Sequence, residues 1–186
     1  MVDAGPGKVA ILIGDDREGA PLLLYVGNKN GNDFLGRNGL SNGKLYAYVI
    51  DGATSPQDFS GTQSFGSGRF VEIEHYKPGS AGTDGYDALG FATQTKHDTL
   101  YAAAGAFRFS RPEDLSTNPQ KPFQIVFAST GRGQTFPADN WGNVYVLNLN
   151  LNNLTADIRI LYSGDDAGYG QFAGPDYGLR NPDNLD

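Results

Sequence analysis

The sequence predicts an all-β protein, and three observations carry that prediction. Short apolar runs of about six to eight residues, many alternating with period 2, recur along the chain between clusters of turn residues. Glycine and proline are dense, at 26 and 10 of 186 residues, against roughly 12% combined in an average protein. No stretch of a dozen residues carries a convincing 3.6-residue apolar stripe. At 39% the hydrophobic share is too high for a disordered chain, and the length suits one domain or part of a larger one.

Taken in order, the first strand is Lys8–Gly14 (KVAILIG) and the second Pro21–Gly27 (PLLLYVG). The third, Lys44–Ile50, follows Asn42-Gly43, a dipeptide suited to a tight hairpin turn. Ser41-Asn42-Gly43-Lys44 has the form S-x-x-K, but the hydrolase motif of that form must open a helix, and a hairpin turn does not. The fourth strand is Arg69–Tyr76 (RFVEIEHY). Thr99–Phe109 reads as the fifth: its alanine run is the best helix candidate in the chain, yet Gly105 and the flanking aromatics favour a strand. Phe123–Ser129, Asn143–Leu149 and Asp157–Ser163 complete the series.

The order suggests a repeat. Leu22–Gly27, Lys44–Ile50 and Arg69–Tyr76 form one triplet; Gln124–Ser129, Asn143–Leu149 and Asp157–Ser163 form a second. Each is preceded by a candidate inner strand, Lys8–Gly14 and Phe107–Leu115. Repeated four-stranded antiparallel units imply a β-propeller-like architecture. Residues 8–98 would be the first blade, residues 99–175 the second, and residues 176–186 the start of a third. Long insertions interrupt the first blade at Asn28–Asn42, Asp51–Gly68 and Pro78–Asp98. Two blades leave apolar faces uncovered, so the expectation is that the rest of a larger chain, or other subunits, cover them.

A formal charge of −7, with 14 Lys+Arg and no basic cluster, argues against nucleic acid as a partner. The longest strongly apolar run is about eight residues, short of the roughly 20 that a membrane-spanning helix needs. The first residues show neither a basic nor an apolar leader region. With no cysteine a thiolate metal site is excluded, and only two histidines argue against a histidine-rich zinc site. Hard divalent cations are the natural counterpart of a chain rich in carboxylates and carbonyls.

Several segments resemble a known family. Leu24-Tyr25-Val26-Gly27-Asn28-Lys29, with Gly39-Leu40-Ser41-Asn42-Gly43-Lys44-Leu45-Tyr46 after it, is similar to that family's YVG-K and GL-NG-LY block. Phe109-Ser110-Arg111-Pro112-Glu113-Asp114 resembles its F-RPED motif. Phe127-Ala128-Ser129-Thr130 and Gly142–Leu147 resemble the strand pair that follows, and Asn181-Pro182-Asp183-Asn184-Leu185 its PDN motif. The family is the PhoX-type alkaline phosphatases, also described as phytase- or esterase-like. The resemblance implies a propeller that holds calcium and iron near its axis and hydrolyses phosphomonoesters. It also implies a periplasmic or extracellular location. The family's early Trp–Cys–Glu–Glu stretch has no counterpart here, so turnover by this chain alone is expected to be weak or absent.

The residues singled out follow from the motifs. Pro112 fixes φ and removes a donor, which bends the strand or places it at a rim, and the adjacent carboxylates then project to opposite sides. Glu113, Asp114, Asp183 and Asn184 supply hard oxygens at equivalent blade starts and are the expected calcium ligands. Arg37, Arg111 and Arg132 are the expected partners of a phosphate group. Asp165-Asp166, in a glycine-flanked loop, is a weaker second calcium candidate. Two functions follow: a segment of a calcium- and iron-dependent phosphomonoesterase, or a non-catalytic, calcium-stabilised propeller module that binds or supports.

Overall fold

The computed structural model describes residues 2, 4–131, 135–166, 179–183 and 185. It is all-β. β1 (Lys8–Ile13), β2 (Leu23–Asn28), β3 (Lys44–Ile50) and β4 (Phe65–Ile73) form one antiparallel meander. β5 (Pro112–Thr117), β6 (Gln124–Ser129), β7 (Asn143–Asn150) and β8 (Thr155–Ser163) form a second. Each half of the chain thus supplies four antiparallel strands. The two meanders are not separate sheets, because β4 and β8 pair from Phe65↔Arg159 to Arg69↔Thr155. One eight-stranded antiparallel sheet results, in the order β1-β2-β3-β4-β8-β7-β6-β5, and it curls into a nearly closed barrel. At the seam Gly14 lies so close to β5 that a Cβ there would stand 2.7 Å from the Pro112 carbonyl oxygen.

The fifth predicted strand, Thr99–Phe109, is corrected. Residues Gln94–Ala104 form an α-helix, which we call α2, after a short first helix α1 (Phe34–Arg37). Thr93 caps α2 by accepting from the Lys96 N–H, and Gly105 ends it in the left-handed conformation at φ 69°. The glycine that argued against a helix is its C-terminal stop, and Ala102–Ala104 are strong helix formers. Helix α2 seats Tyr101 with Leu100 and Ala104 against Leu23, Leu45, Ala47 and Ile73 on the outer face of the first meander. The inner strand of the second unit is accordingly β5, and not Phe107–Leu115.

Residues 106–110 instead thread into the barrel, where Phe107 N–H donates to the Tyr48 carbonyl and Phe109 N–H to that of Ala20. Phe107, Phe109, Phe127 and Tyr145 are fully buried and form a connected aromatic core with centroid separations of 4.6–5.3 Å. Burying such side chains contributes about 1.5–3 kcal/mol each, with about 0.5–1.5 kcal/mol more for each favourable ring pair. Among the described residues no helix is long and apolar enough to cross a membrane.

Antiparallel order places alternate strand ends on a common rim. The start of β5, the end of β6, the start of β7 and the end of β8 align there through Pro112↔Ser129, Ser129↔Asn143 and Asn143↔Ser163. The start of β3 and the end of β2, from which α1 follows, lie at the opposite rim.

Candidate functional site

The first rim gathers charged groups around the start of β5. Arg111 adopts φ 67°, a left-handed conformation disfavoured for a side chain with a Cβ and further opposed by the proline that follows. Such strain costs on the order of 1–3 kcal/mol and persists only where the surroundings enforce it. Here the turn sends the guanidinium back to Asp16, with Nη2 2.7 Å from Oδ1, while the same nitrogen stands 4.0 Å from Glu113 Oε1. Arg111 Nη1 is buried with no hydrogen-bond partner.

A bulge between Glu113 and Leu115 separates the two adjacent acids. Asp114 is exposed and accepts from the Leu185 N–H at 2.7 Å. Glu113 turns inward, its side chain 18% exposed, and accepts from the Thr130 hydroxyl. Its carboxyl also meets that of Asp183, and the contact strengthens its hold on a proton. Desolvation, that contact, and the charges of Asp16 and Asp183 push the Glu113 carboxyl up to about 7, with Arg111 opposing.

The segment carrying Asp183 is fastened across the strand ends. Asn181 Nδ2 donates to the Thr130 carbonyl at 2.8 Å, and its N–H to that of Trp141 at 2.6 Å. Gly142, at φ 85°, makes this crossing sterically feasible, since a Cβ there would lie 2.5 Å from the Ser129 oxygen and 2.6 Å from Pro182 Cδ.

The structure thus brings Arg111 and Glu113 to Asp183, about 70 residues away in sequence, while Asp114 meets the same segment separately, at the Leu185 N–H. Arg37 is not among them: it ends α1 at the opposite rim, beside the Phe34 ring. Asn184 and Arg132 lie outside the described residues. Asp16 and Thr130 were missed by sequence reasoning. Thr130 follows a strand end directly, a position that reads as a turn, and Asp16 sits in an acidic loop whose partner is distant in sequence. Nothing local marks either one.

Among the described residues no three Asp, Glu or His side chains converge as a metal cage. Two carboxylates in contact nevertheless repel when both ionise, and a cation in place of the proton relieves that repulsion. Glu113 and Asp183, with the Thr130 hydroxyl and the Pro182 carbonyl close by, fit a hard cation as part of a coordination set. They do not supply the soft ligand that thiolate-bound iron would need, since the chain has no cysteine.

Compared with known proteins, the chain matches one family model, described as alkaline phosphatase PhoX, over residues 1–185. The chain belongs to the PhoX alkaline phosphatase family. No curated protein and no solved structure matches it. The matched span contains both Arg111–Asp114 and Asp183, so the rim is built from residues inside the PhoX region.

Proposed function

We propose that this chain contributes a metal-dependent phosphate site to a PhoX-type phosphomonoesterase, with the rim around Glu113 as its centre. One observation carries the reading: a Glu113–Asp183 carboxyl pair is held beside an arginine with an unused, buried N–H face. In it, Glu113, Asp114, Asp183 and Asn184 hold calcium, and Arg111 turns its unpaired Nη1 toward a phosphate oxygen, with Arg132 as a second cationic partner. A bound metal would polarise the phosphoryl oxygens and offset charge developing in the transition state. Asp16 holds the guanidinium in place, and Thr130 holds the Glu113 carboxylate. Iron joins calcium only if ligands come from outside the described residues. Arg37, at the other rim, would meet a phosphate only at a separate surface. The natural setting in this reading is periplasmic or extracellular, with the substrate a phosphate monoester.

A second reading, a calcium-stabilised module without turnover, draws support from the incomplete cage. Hydrolysis of p-nitrophenyl phosphate with added calcium and iron separates the two. The enzymatic reading expects weak turnover that Arg111→Lys lowers at least tenfold, because lysine cannot reproduce the fork geometry. Turnover absent at every metal condition, with calcium still raising the melting temperature, leaves the module.

A further inference from the structure

A second polar centre lies behind the rim, inside the barrel mouth. Ser129, Asn143 and Ser163 stand opposite one another on β6, β7 and β8, so their side chains share one face of the sheet. All three are buried, at 0%, 0% and 1% exposure. Two residues deeper on that face lie the stacked rings of Phe127 and Tyr145, 4.8 Å apart. A polar row therefore caps an aromatic core, where a hydrophobic row would be expected to continue.

Asp139, from the short 3₁₀ turn Pro137–Asp139, closes over this row and is itself fully buried. Its Oδ2 accepts from the Ser129 hydroxyl at 3.1 Å, and the Asn143 amide N–H and the Gly142 N–H also favour its carboxylate. Its Oδ1 has no hydrogen-bond partner, and the same is true of Asn143 Oδ1, Ser163 Oγ and Ser110 Oγ, all of them buried. Among the described residues no Lys or Arg pairs with Asp139. The turn Gly164–Asp166 packs against this one and adds the Asp165 carboxylate, anchored by the Trp141 N–H at 2.9 Å.

A buried carboxylate without a cation costs several kcal/mol if it ionises, and buried oxygens without partners add to that. Here the unpartnered atoms include Asn143 Oδ1, which can only accept, and Asp139 Oδ1, which can only accept whenever the carboxyl is ionised. A donor of positive charge answers both deficits at once. We infer that the barrel mouth binds one hard divalent cation of the calcium class, held by Asp139, the Asn143 amide oxygen and the Ser163 hydroxyl, with Asp165 adding charge from the neighbouring turn. The donors are all oxygens, which suits calcium and disfavours softer metals. This site shares no side chain with the Glu113–Asp183 pair and does not rest on the reading given to it. Its role is structural: it ties the turns that follow β6 and β8 to the strand ends they leave.

Terbium, a calcium-sized luminescent ion, is the probe. Trp141 is the single tryptophan of the chain and its backbone N–H donates to Asp165, which keeps the indole within energy-transfer reach of terbium bound here. After chelator treatment, the wild-type chain should give indole-sensitised emission that saturates and that calcium displaces. With the rim pair removed by Glu113→Gln, saturable emission should remain; Asp139→Asn in that background should abolish it, and Ser163→Ala there should weaken terbium binding about tenfold. Absence of sensitised emission in the wild-type chain overturns the inference, as does emission lost in Glu113→Gln or kept when Asp139→Asn is added to it. An unchanged affinity in Ser163→Ala, a smaller perturbation chosen in case Asp139→Asn does not fold, overturns it too.

Discussion

In the metal-free protein, Glu113→Gln should stabilise the fold at alkaline pH and leave it nearly unchanged at pH 5. The folded Glu113 carboxyl is pushed from its ordinary 4.5 up to about 7, chiefly by desolvation and by its hydrogen bond to Asp183. A carboxyl that holds its proton more tightly when folded contributes stability that is fully present below about pH 4.5. That contribution is lost as pH rises through about 7. The unscreened magnitude is about 3 kcal/mol at 1.36 kcal/mol per unit. The group sits at a rim within reach of water, and screening brings the expected effect to about 1–2 kcal/mol. Glutamine keeps the shape and both hydrogen-bonding functions without the charge, so its contribution stays flat between pH 5 and 8. Urea unfolding followed by circular dichroism, with chelator present, measures the difference. At pH 8 the variant should be more stable by about 1–2 kcal/mol, or about 3–6 °C in melting temperature for a chain of this length. Below pH 5 the two should agree within about 0.5 kcal/mol. A variant less stable than wild type at pH 8, or a difference that does not change with pH, refutes the coupling between Glu113 and Asp183.

Two further outcomes concern the frame that holds the site. Phe109→Ala removes the ring at the centre of the aromatic core, where Phe107, Phe127 and Tyr145 all meet it, and should cost about 3–5 kcal/mol in chemical denaturation; a cost below about 1 kcal/mol would mean the core is not built around it. Gly142→Ala should destabilise by more than the roughly 1 kcal/mol of a left-handed alanine, because the new Cβ meets the Ser129 oxygen and Pro182, and amide hydrogen exchange should show residues 179–183 released from the rim. Unchanged protection of that segment would refute its crossing at Gly142.

Much of the fold was legible because strand periodicity is local. The runs KVAILI, KLYAYVI, QIVFAS and NVYVLNLN are strands where period 2 and β-branched residues put them. The helix at Gln94–Ala104 was not, because its apolar face is narrow: only Tyr101 is buried, so no stripe announces it. Its signals were the Thr93 cap and the Gly105 stop, which also read as turn residues. The pairing of β4 with β8 was hidden for a different reason. Edge-to-edge joining depends on which strand ends remain free after both meanders form, and no single segment records that. At the rim, the motifs drew attention to Arg111, Glu113, Asp114 and Asp183, since proline and adjacent acids are visible in one dimension. Asp16, Thr130 and the buried Asp139 act through partners brought close only by the barrel.

The most direct test of the proposed metal-dependent phosphate site is a crystal structure of the chain grown with calcium, with anomalous scattering recorded to locate the ion. The account predicts an anomalous peak about 2.3–2.6 Å from carboxylate oxygens of Glu113 and Asp183, with the direct bond between the two acids gone. A structure in which the two carboxyl groups remain hydrogen-bonded to each other at saturating calcium, with no peak beside them, would contradict it.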